Sequence, residues 1–307
     1  MHLSPLQVAM YPVVATRRTT PSYSSGLSPP CGGPLMCNIQ KLLQNVLRSL
    51  TCTVQQVERL PGRAHQTCLL QMTDGTRLVL KCPPAGGTRL LRHEQRSMES
   101  EAKVLSLVNA QARVPAPQCI QYSTQSNSAH DCPYLLRSHL PGTSLSHALP
   151  HLSAGERARI DRSLGSYMYQ LSTITAPTFG PSHRAFGGTG SSSWREAFLS
   201  LLESILRDGE DKLVSVPYDS IRYYVGAHGA LLNEIRRPQL VALDVGTADS
   251  VLVDERTGQV AGLLGFGNVV WGDPAMARVF AGASDAFWEG FGSCLVKSRN
   301  ERIRQLL

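Results

Sequence analysis

The chain of 307 residues is 42% hydrophobic and 17% charged, and its formal net charge at pH 7 is +7. Four positive charges precede the first acidic residue, Glu58, and no stripe of Lys and Arg alternates with aromatic residues, so nucleic-acid binding is not predicted. An unbroken run of 18 apolar residues is also absent, which excludes a transmembrane helix, and the apolar content suffices for one large domain or two lobes.

The first 37 residues are rich in Pro, Ser and Gly and show no periodic apolar pattern. This composition predicts a disordered leader over residues 1–37. The pair Arg17 and Arg18, in a segment without acids, resembles a weak transit peptide. A second interpretation is that Met36 is the true start of the protein.

Residues 38–139 predict a small sheet that carries one long helix. A first helix begins at Asn38, and the turn signal Thr73-Asp74-Gly75 joins two strands in a hairpin. The apolar patterns predict strands at 51–60, 66–72, 76–81, 118–122 and 134–137 and the long helix over 90–110.

Residues 140–307 follow the linker Leu140-Pro141-Gly142 and change to a helical pattern. Ser153 and Glu156 form a capping box, which predicts a helix from there to Thr173. Further helices are predicted over 194–207 and 218–235, with strands at 240–243, 251–253 and 260–264. The whole pattern predicts an α+β fold with a small N-terminal sheet lobe and a larger, mainly helical C-terminal lobe.

Eight cysteines are scattered along the chain without a C-x-x-C pair and without a histidine at ligand spacing. This pattern disfavours a zinc site, and a chain of this length does not need a disulfide framework to stabilise its core. The sequence therefore predicts reduced thiols and a cytoplasmic location.

Six motifs, in this order, resemble the fungal branch of the aminoglycoside phosphotransferase and choline kinase-like family. They are LVLKCPP, RHEQRSMESEAKVLSLV, PYLLRSHLPGTSL, LSTITAPTFGP, PQLVALDVGTADSVLVDERTGQVAGLLGF and VVWGDPAM. The resemblance runs from about residue 50 to residue 292 and implies a protein kinase-like two-lobed fold. It also implies transfer of the ATP γ-phosphate to a small-molecule hydroxyl, with ATP and Mg²⁺ as cofactors.

The resemblance assigns roles to five residues. Lys81 ends a strand and Glu101 lies in the following helix, where such a pair positions the lysine on the nucleotide phosphates. Gly62 falls in the loop that covers the phosphates, although Arg63 and His65 depart from the family pattern there. Asp244 matches the catalytic base, and Asp249 falls on the magnesium-binding Asn, although Ser250 fits that position equally well.

Two departures weaken the expectation of kinase activity. The family His two residues before the catalytic Asp is Ala242, and the second magnesium-binding Asp falls on Gly265, which has no side-chain oxygen. Losing one main electrostatic group costs a factor of roughly 10²–10³ in rate. Asp273 is the obvious substitute, but in the family it occurs together with the metal Asp.

Three interpretations therefore stay open. The first is a phosphotransferase whose conventional activity is impaired and which serves as an accessory protein of fungal secondary metabolism. The second is a pseudokinase-type protein that binds a ligand without transfer, and the third is an ATP-independent enzyme that reuses the acceptor cleft on a natural-product intermediate, with no cofactor. The expected partner is a small molecule, and the shortened C-terminal lobe suggests a protein partner as well.

Overall fold

The computed structural model describes residues 53–61, 64–84, 89–124 and 133–292, together with residues 303 and 307. The predicted leader, the helix expected from Asn38, and Gly62 lie outside these ranges. The strands are β1 Val54–Leu60, β2 Gln66–Met72, β3 Arg77–Cys82, β4 Cys119–Ser123, β5 Tyr134–Ser138, β6 Thr143–Ser144, β7 Gly180–Pro181, β8 Gln239–Ala242, β9 Val251–Asp254, β10 Gln259–Leu263 and β11 Val269–Gly272. The α-helices are α1 Ser97–Gln111, α2 Leu145–Ala148, α3 Ala154–Thr173, α4 Ser182–Ala185, α5 Trp194–Asp211, α6 Tyr218–His228 and α7 Asp285–Phe291.

The N-terminal sheet is antiparallel throughout, in the order β1-β2-β3-β5-β4. Because side chains alternate across a strand, one face collects Leu70, Leu80 and Leu136, which are fully buried in an apolar cluster of this sheet. The predicted hairpin between β2 and β3 is present, and its turn contains Gly75 with a φ of +85°. The other face of the sheet is directed toward α1 and the functional cleft.

The long helix of the N-terminal lobe begins later than the sequence pattern predicts. Helix α1 starts at Ser97 rather than near residue 90, and residues 92–96 form turns. These turns are anchored to α5, because the backbone N–H of Arg92 donates to the Asp208 carboxylate at 2.7 Å. This tertiary contact has no local signal in the sequence.

The C-terminal half is built around α3, whose predicted capping box is present. Ser153 accepts from the backbone N–H of Glu156, and the Glu156 side chain accepts from the backbone N–H of Ser153. Helix α3 packs closely against α7, since a Cβ at Gly165 would lie 2.0 Å from the carbonyl oxygen of Phe287. Small residues at this contact allow the two helix backbones to approach one another.

The segment predicted as a linker is joined to the C-terminal half by hydrogen bonds. Immediately after Gly142, strand β6 pairs with β9 and extends the β9–β10 hairpin to the order β10-β9-β6. Gly142 has a φ of +126°, and a Cβ there would lie 3.0 Å from the carbonyl oxygen of Val253. Glycine is required at this crossing because its backbone is left-handed and crowded.

Three short strands were not predicted, β6, β7 and β11, and the last two form a sheet with β8 in the order β7-β11-β8. Trp271 of β11 is fully buried and donates from Nε1 to the Ser182 hydroxyl at 3.2 Å. Strand β11 is held by its pairing with β7 and β8. This sheet fixes the end of β8, from which the candidate catalytic loop departs.

The helix predicted over 218–235 is shorter in the structure. Helix α6 ends at His228, and residues Gly229–Glu234 continue as a 3₁₀ helix instead of an α-helix to Ile235. Glycine at the junction lowers helix propensity, and the tighter turn follows there. None of the helices in the described ranges combines the length and apolar character needed to cross a bilayer.

Candidate active site

A cleft of about 360 Å³ opens between the N-terminal sheet and the loops that follow β8 and β10. Charged and polar side chains from both halves of the chain line it, among them Lys81, Glu101, Arg137, Asp244, Asp249 and Asn268. Four of the sequence-predicted site residues therefore meet in one cavity. The fifth, Gly62, lies outside the described residues, although its neighbours Pro61 and Ala64 line the same cleft.

Lys81 and Glu101 are in contact, as the resemblance implies. The Lys81 Nζ donates to the Glu101 Oε2 at 2.7 Å, and the two side chains are 18% and 8% exposed. Lys81 ends an apolar strand on the face directed toward α1, and Glu101 is one turn into that helix. Breaking a pair buried to this extent by removing one partner costs about 3–5 kcal/mol, because the other charge is left without compensation.

Arg137 brings a second cation to this pair. Its partner across the sheet is Val79, two residues before Lys81, so Arg137 and Lys81 project from the same face. The Arg137 Nε lies 3.5 Å from the Glu101 Oε1. Burial by itself raises the pKa of Glu101, but Lys81 and Arg137 outweigh it and hold that pKa below its ordinary value. Glu101 is therefore ionised between two cations.

His65 closes the cleft on the side of the first hairpin. Its Nε2 lies 3.4 Å from the Ser97 hydroxyl. Burial, and then the positive charge of Lys81, lower the pKa of His65 from 6.5 to about 4, so its imidazole is neutral at pH 7. In the sequence, His65 departs from the family pattern of the phosphate-covering loop. In the structure, its neutral ring lies beside Lys81.

Asp244 follows strand β8 and faces the cleft, where two further side chains orient it. The Asn268 Nδ2 donates to the Asp244 Oδ2 at 3.3 Å, and the Arg278 Nη1 lies 3.8 Å from the Asp244 Oδ1. The strand and its loop are held in register because the backbone N–H of Leu243 donates to the Asn268 carbonyl at 3.0 Å. Both carboxylate oxygens of Asp244 thus have a neighbour that restricts their rotation.

The loop after Asp244 distinguishes the two candidates for the metal-ligand position. Ser250 is buried, and its hydroxyl donates to the Thr247 carbonyl at 3.0 Å and accepts from the Thr247 hydroxyl. Ser250 is therefore occupied in closing the loop. Both residues line the cleft, but Asp249 is exposed, so it is the more accessible of the two to a ligand.

Gly265 stands beside Asp244 at the end of β10. Its φ is +96°, in the left-handed region that favours glycine. A Cβ there would lie 3.2 Å from the Asp244 carbonyl carbon and 3.3 Å from the Asp244 Cβ. Gly265 lines the cleft with backbone alone, and any side chain at this position would project beside the Asp244 carboxylate.

Asp273 does not replace the missing carboxylate at Gly265. It is buried, with 4% exposure, and accepts from the backbone N–H of Ala275 at 3.0 Å as the cap of a short 3₁₀ helix. It does not line the cleft that contains Asp244. This agrees with the interpretation that Asp273 is a structural residue.

The fit of a magnesium ion can be judged from these donors. Within the described ranges, no three His, Cys, Asp or Glu side chains converge where a metal ion would be held. Asp249 offers one exposed carboxylate, whereas Gly265 offers no oxygen from a side chain. The residues therefore do not fit the arrangement with two protein ligands that the resemblance implies.

A two-lobed α+β fold whose interlobe cleft contains a Lys–Glu ion pair and a carboxylate at the end of a strand is typical of kinase-like phosphotransferases. Residues 56–277 match the phosphotransferase enzyme family, and the chain belongs to that family. No curated protein matches the sequence significantly.

Solved structures share the fold at low sequence identity. One is the GDP and kanamycin complex of APH(2″)-IIIa, at 18% identity and a TM-score of 0.58, which covers 87% of this chain and 86% of that one. Another is a thermostable mutant of APH(4)-Ia with AMP-PNP and hygromycin B, at 17% identity and 0.53, covering 76% and 73%. The macrolide 2′-phosphotransferase MphH from Brachybacterium faecium matches at 17% and 0.51, covering 84% and 85%. The kinase-like fold predicted from the sequence is confirmed.

Sequence reasoning missed two side chains that line the cleft, Arg137 and Asn268, and also Arg278, which lies near Asp244. Arg137 was detectable in principle, because it alternates with buried Leu136 in β5 and a strand register would place it beside Lys81. Asn268 follows the end of β10 by a few residues, whereas the sequence pattern places the expected polar group at Gly265. Arg278 has no local signal, since its position near Asp244 follows from the folding of residues 274–280.

Proposed function

We propose that this protein binds a nucleoside triphosphate in the cleft and transfers its terminal phosphoryl group to a small-molecule hydroxyl, more slowly than a metal-dependent kinase does. The observation that supports this function is the contact between Lys81 and Glu101 in the cleft that also contains Asp244. In this proposal residues 38–139 form the nucleotide-binding lobe and residues 140–307 the lobe that binds the acceptor.

The nucleotide side of the reaction depends on positive charge. The Lys81 ammonium is fixed by Glu101, and Arg137 adds a guanidinium to the same wall, so two cations face the phosphates of a bound nucleotide. Phosphoryl transfer depends on positioning and on stabilising the charge of the transferred group. Nucleotide complexes of the fold relatives, with AMP-PNP and with GDP, support a nucleotide as the donor.

The acceptor side depends on Asp244. The acceptor hydroxyl oxygen forms a bond to the γ-phosphorus, and the bond from that phosphorus to the β,γ-bridging oxygen breaks. The bridging oxygen retains the electron pair and leaves as part of the nucleoside diphosphate. The hydroxyl proton passes to the Asp244 carboxylate, which Asn268 and Arg278 hold in orientation.

The proposed rate is low because Gly265 supplies no ligand beside Asp244. Calorimetric titration with ATP, with and without Mg²⁺, tests the proposal on the wild type and on Lys81→Met. We expect weak binding that Mg²⁺ does not strengthen and that Lys81→Met abolishes. The control is Lys103→Met, which removes an exposed lysine of α1 outside the cleft.

Two results would contradict this assignment in different ways. Micromolar ATP binding that requires Mg²⁺ would show that the metal site is intact and the activity is not impaired. If the wild type does not bind ATP at all, the second candidate is favoured, a pseudokinase-type ligand-binding protein. The missing side-chain oxygen at Gly265 supports that candidate.

The proposal also includes a biological role, a location in the cell and an alternative reaction. The resemblance to the fungal branch supports a role as an accessory protein of secondary metabolism, in the cytoplasm. The fixed carboxylate of Asp244 favours, as an alternative, ATP-independent acid–base chemistry on a natural-product intermediate. Profiling metabolites in a strain that lacks the protein separates these, because a precursor that differs from its product by something other than phosphate supports the alternative.

A further inference from the structure

A second cavity, of about 530 Å³, lies next to the cleft. It is bounded by the turns at residues 92–96, by α4 with the preceding Pro181, and by α5. His93 lines both this cavity and the cleft, and a small gap lined by His93, Pro181 and Asn268 lies between the two. Its volume is in the range of small-molecule sites, about 300–1,000 Å³.

The charged lining of this cavity, which we call the basic cavity, is predominantly positive. Four arginines, Arg92, Arg96, Arg184 and Arg207, line it with a single carboxylate, Glu203. Planar guanidinium groups bind carboxylates and phosphates in a bidentate way, so a concave surface with four of them favours an anion.

The arginines differ in how far they are already neutralised. Three of the four are paired: Arg92 with Asp208 and Asp211 of α5, Arg96 with Glu99, and Arg207 with Glu203. Arg184 is exposed and forms no ion pair with any residue in the described part of the chain. Among the arginines of this cavity, Arg184 is therefore the one whose guanidinium group is available to a ligand.

Two histidines in the lining, His93 and His183, are neutral rather than charged because both are partly buried. Burial, and then the charges of Arg96 and Arg184, lower the pKa of His183. Burial also lowers the pKa of His93, and its Nδ1 is buried with no hydrogen-bond partner among the described residues. A buried ring nitrogen without a partner is an available site for a polar ligand atom.

We propose that the basic cavity is the acceptor site and that it takes a small molecule bearing both a hydroxyl and an anionic group, either carboxylate or phosphate. Arg184 binds the anionic group, and the hydroxyl extends past His93 toward Asp244. The proposal rests on the phosphotransferase function proposed above, and it specifies the class of acceptor. A polyamine such as kanamycin would be repelled by this lining, because its charge has the same sign as the arginines.

The test is calorimetric titration with three probes: glycerol 3-phosphate, glycerate and kanamycin. We expect the two anions to bind at millimolar concentrations and kanamycin not to bind. Arg184→Glu should weaken binding of the anions by about tenfold or more, since it reverses the charge that contacts them. The matched control is Arg195→Glu, which changes an exposed arginine of α5 outside the lining and should leave binding unchanged.

Each contrary result overturns the proposal. One is that kanamycin binds in preference to both anions, and another is that Arg184→Glu and Arg195→Glu have equal effects on binding. A third is that ATP displaces glycerol 3-phosphate, which indicates that the probe occupies the cleft. If Arg184→Glu fails to fold, judged by its Tm, Arg184→Gln replaces it. A parallel ATP titration separates the two proposals, because anion binding that depends on Arg184 without ATP binding refutes only the phosphotransferase function.

Discussion

Gly265→Asp places a carboxylate where the cleft lacks a ligand, and it is the sharpest test of why activity should be reduced. The introduced carboxylate would stand beside that of Asp244, because a Cβ at position 265 lies 3.3 Å from the Asp244 Cβ. Together with Asp249 this gives a magnesium ion two or three carboxylates on one side of the bound phosphates. The substitution is expected to make ATP binding depend on magnesium.

The structure allows an estimate of two effects of this substitution, the loss of stability and the gain in ATP binding. A φ of +96° costs a non-glycine residue about 1–2 kcal/mol, although Asp and Asn tolerate this region better than most. For a chain of this size the Tm should fall by about 2–4 °C. Against this, one added ligand should strengthen ATP binding in the presence of Mg²⁺ by about tenfold or more, which is about 1.4 kcal/mol.

The assay is calorimetric titration of ATP into the wild type, Gly265→Asp and Gly265→Asn, each with and without Mg²⁺. Asparagine has the shape of aspartate and the same backbone strain, but it carries no charge. We expect a magnesium-dependent gain in Gly265→Asp, and without the metal we expect weaker binding than in the wild type, because two adjacent carboxylates repel the phosphates. If Gly265→Asn shows the same gain in ATP binding, or if Gly265→Asp shows none, position 265 does not face the phosphates.

Three further predictions concern the scaffold around the cleft. Gly272→Ala should lower the free energy of unfolding by about 3 kcal/mol or more, because the added Cβ would lie 2.2 Å from the Trp194 ring; urea unfolding measures this. Glu101→Gln should cost about 3 kcal/mol in the same assay, since the Lys81 ammonium loses its carboxylate. The pH dependence of stability should reflect His65: its pKa is about 4 in the folded protein and 6.5 in the unfolded chain, so the unfolded chain takes up the proton first. Stability should therefore fall as the pH is lowered from 6.5 to about 4, by about 1–2 kcal/mol after solvent screening, and His65→Gln should flatten this slope.

Each of these has a control or a contrary outcome. Gly226→Ala is the matched control for the glycine substitution, because a Cβ there meets no atom within 4 Å and the change should be neutral or stabilising. A cost below about 1 kcal/mol for Glu101→Gln would show that the ion pair contributes little to stability. An unchanged pH slope in His65→Gln would assign the titration to other buried groups.

Much of the fold could be predicted because its signals are local. The β2–β3 hairpin follows from alternating apolar residues and a turn sequence, and α3 follows from a capping box and a 3.6-residue period. Strand β11 and the late start of α1 were missed for the opposite reason. The first is stabilised by pairing with β7 and β8, and the turns before the second are anchored to α5 by the hydrogen bond from Arg92 to Asp208.

The sequence by itself determined the two-lobed α+β organisation, and its resemblance to a known family implied the pair Lys81 and Glu101, the carboxylate Asp244 and the missing side-chain oxygen at Gly265. The motifs that carry this resemblance depend on residue identity and on spacing along one chain. Only the tertiary structure decided that Arg137 joins the ion pair and that Asn268 orients Asp244. It also decided that arginines far apart in the sequence line one cavity. Such contacts arise when strand register and helix packing bring distant segments together, and no periodicity within a segment encodes which distant side chain it will meet.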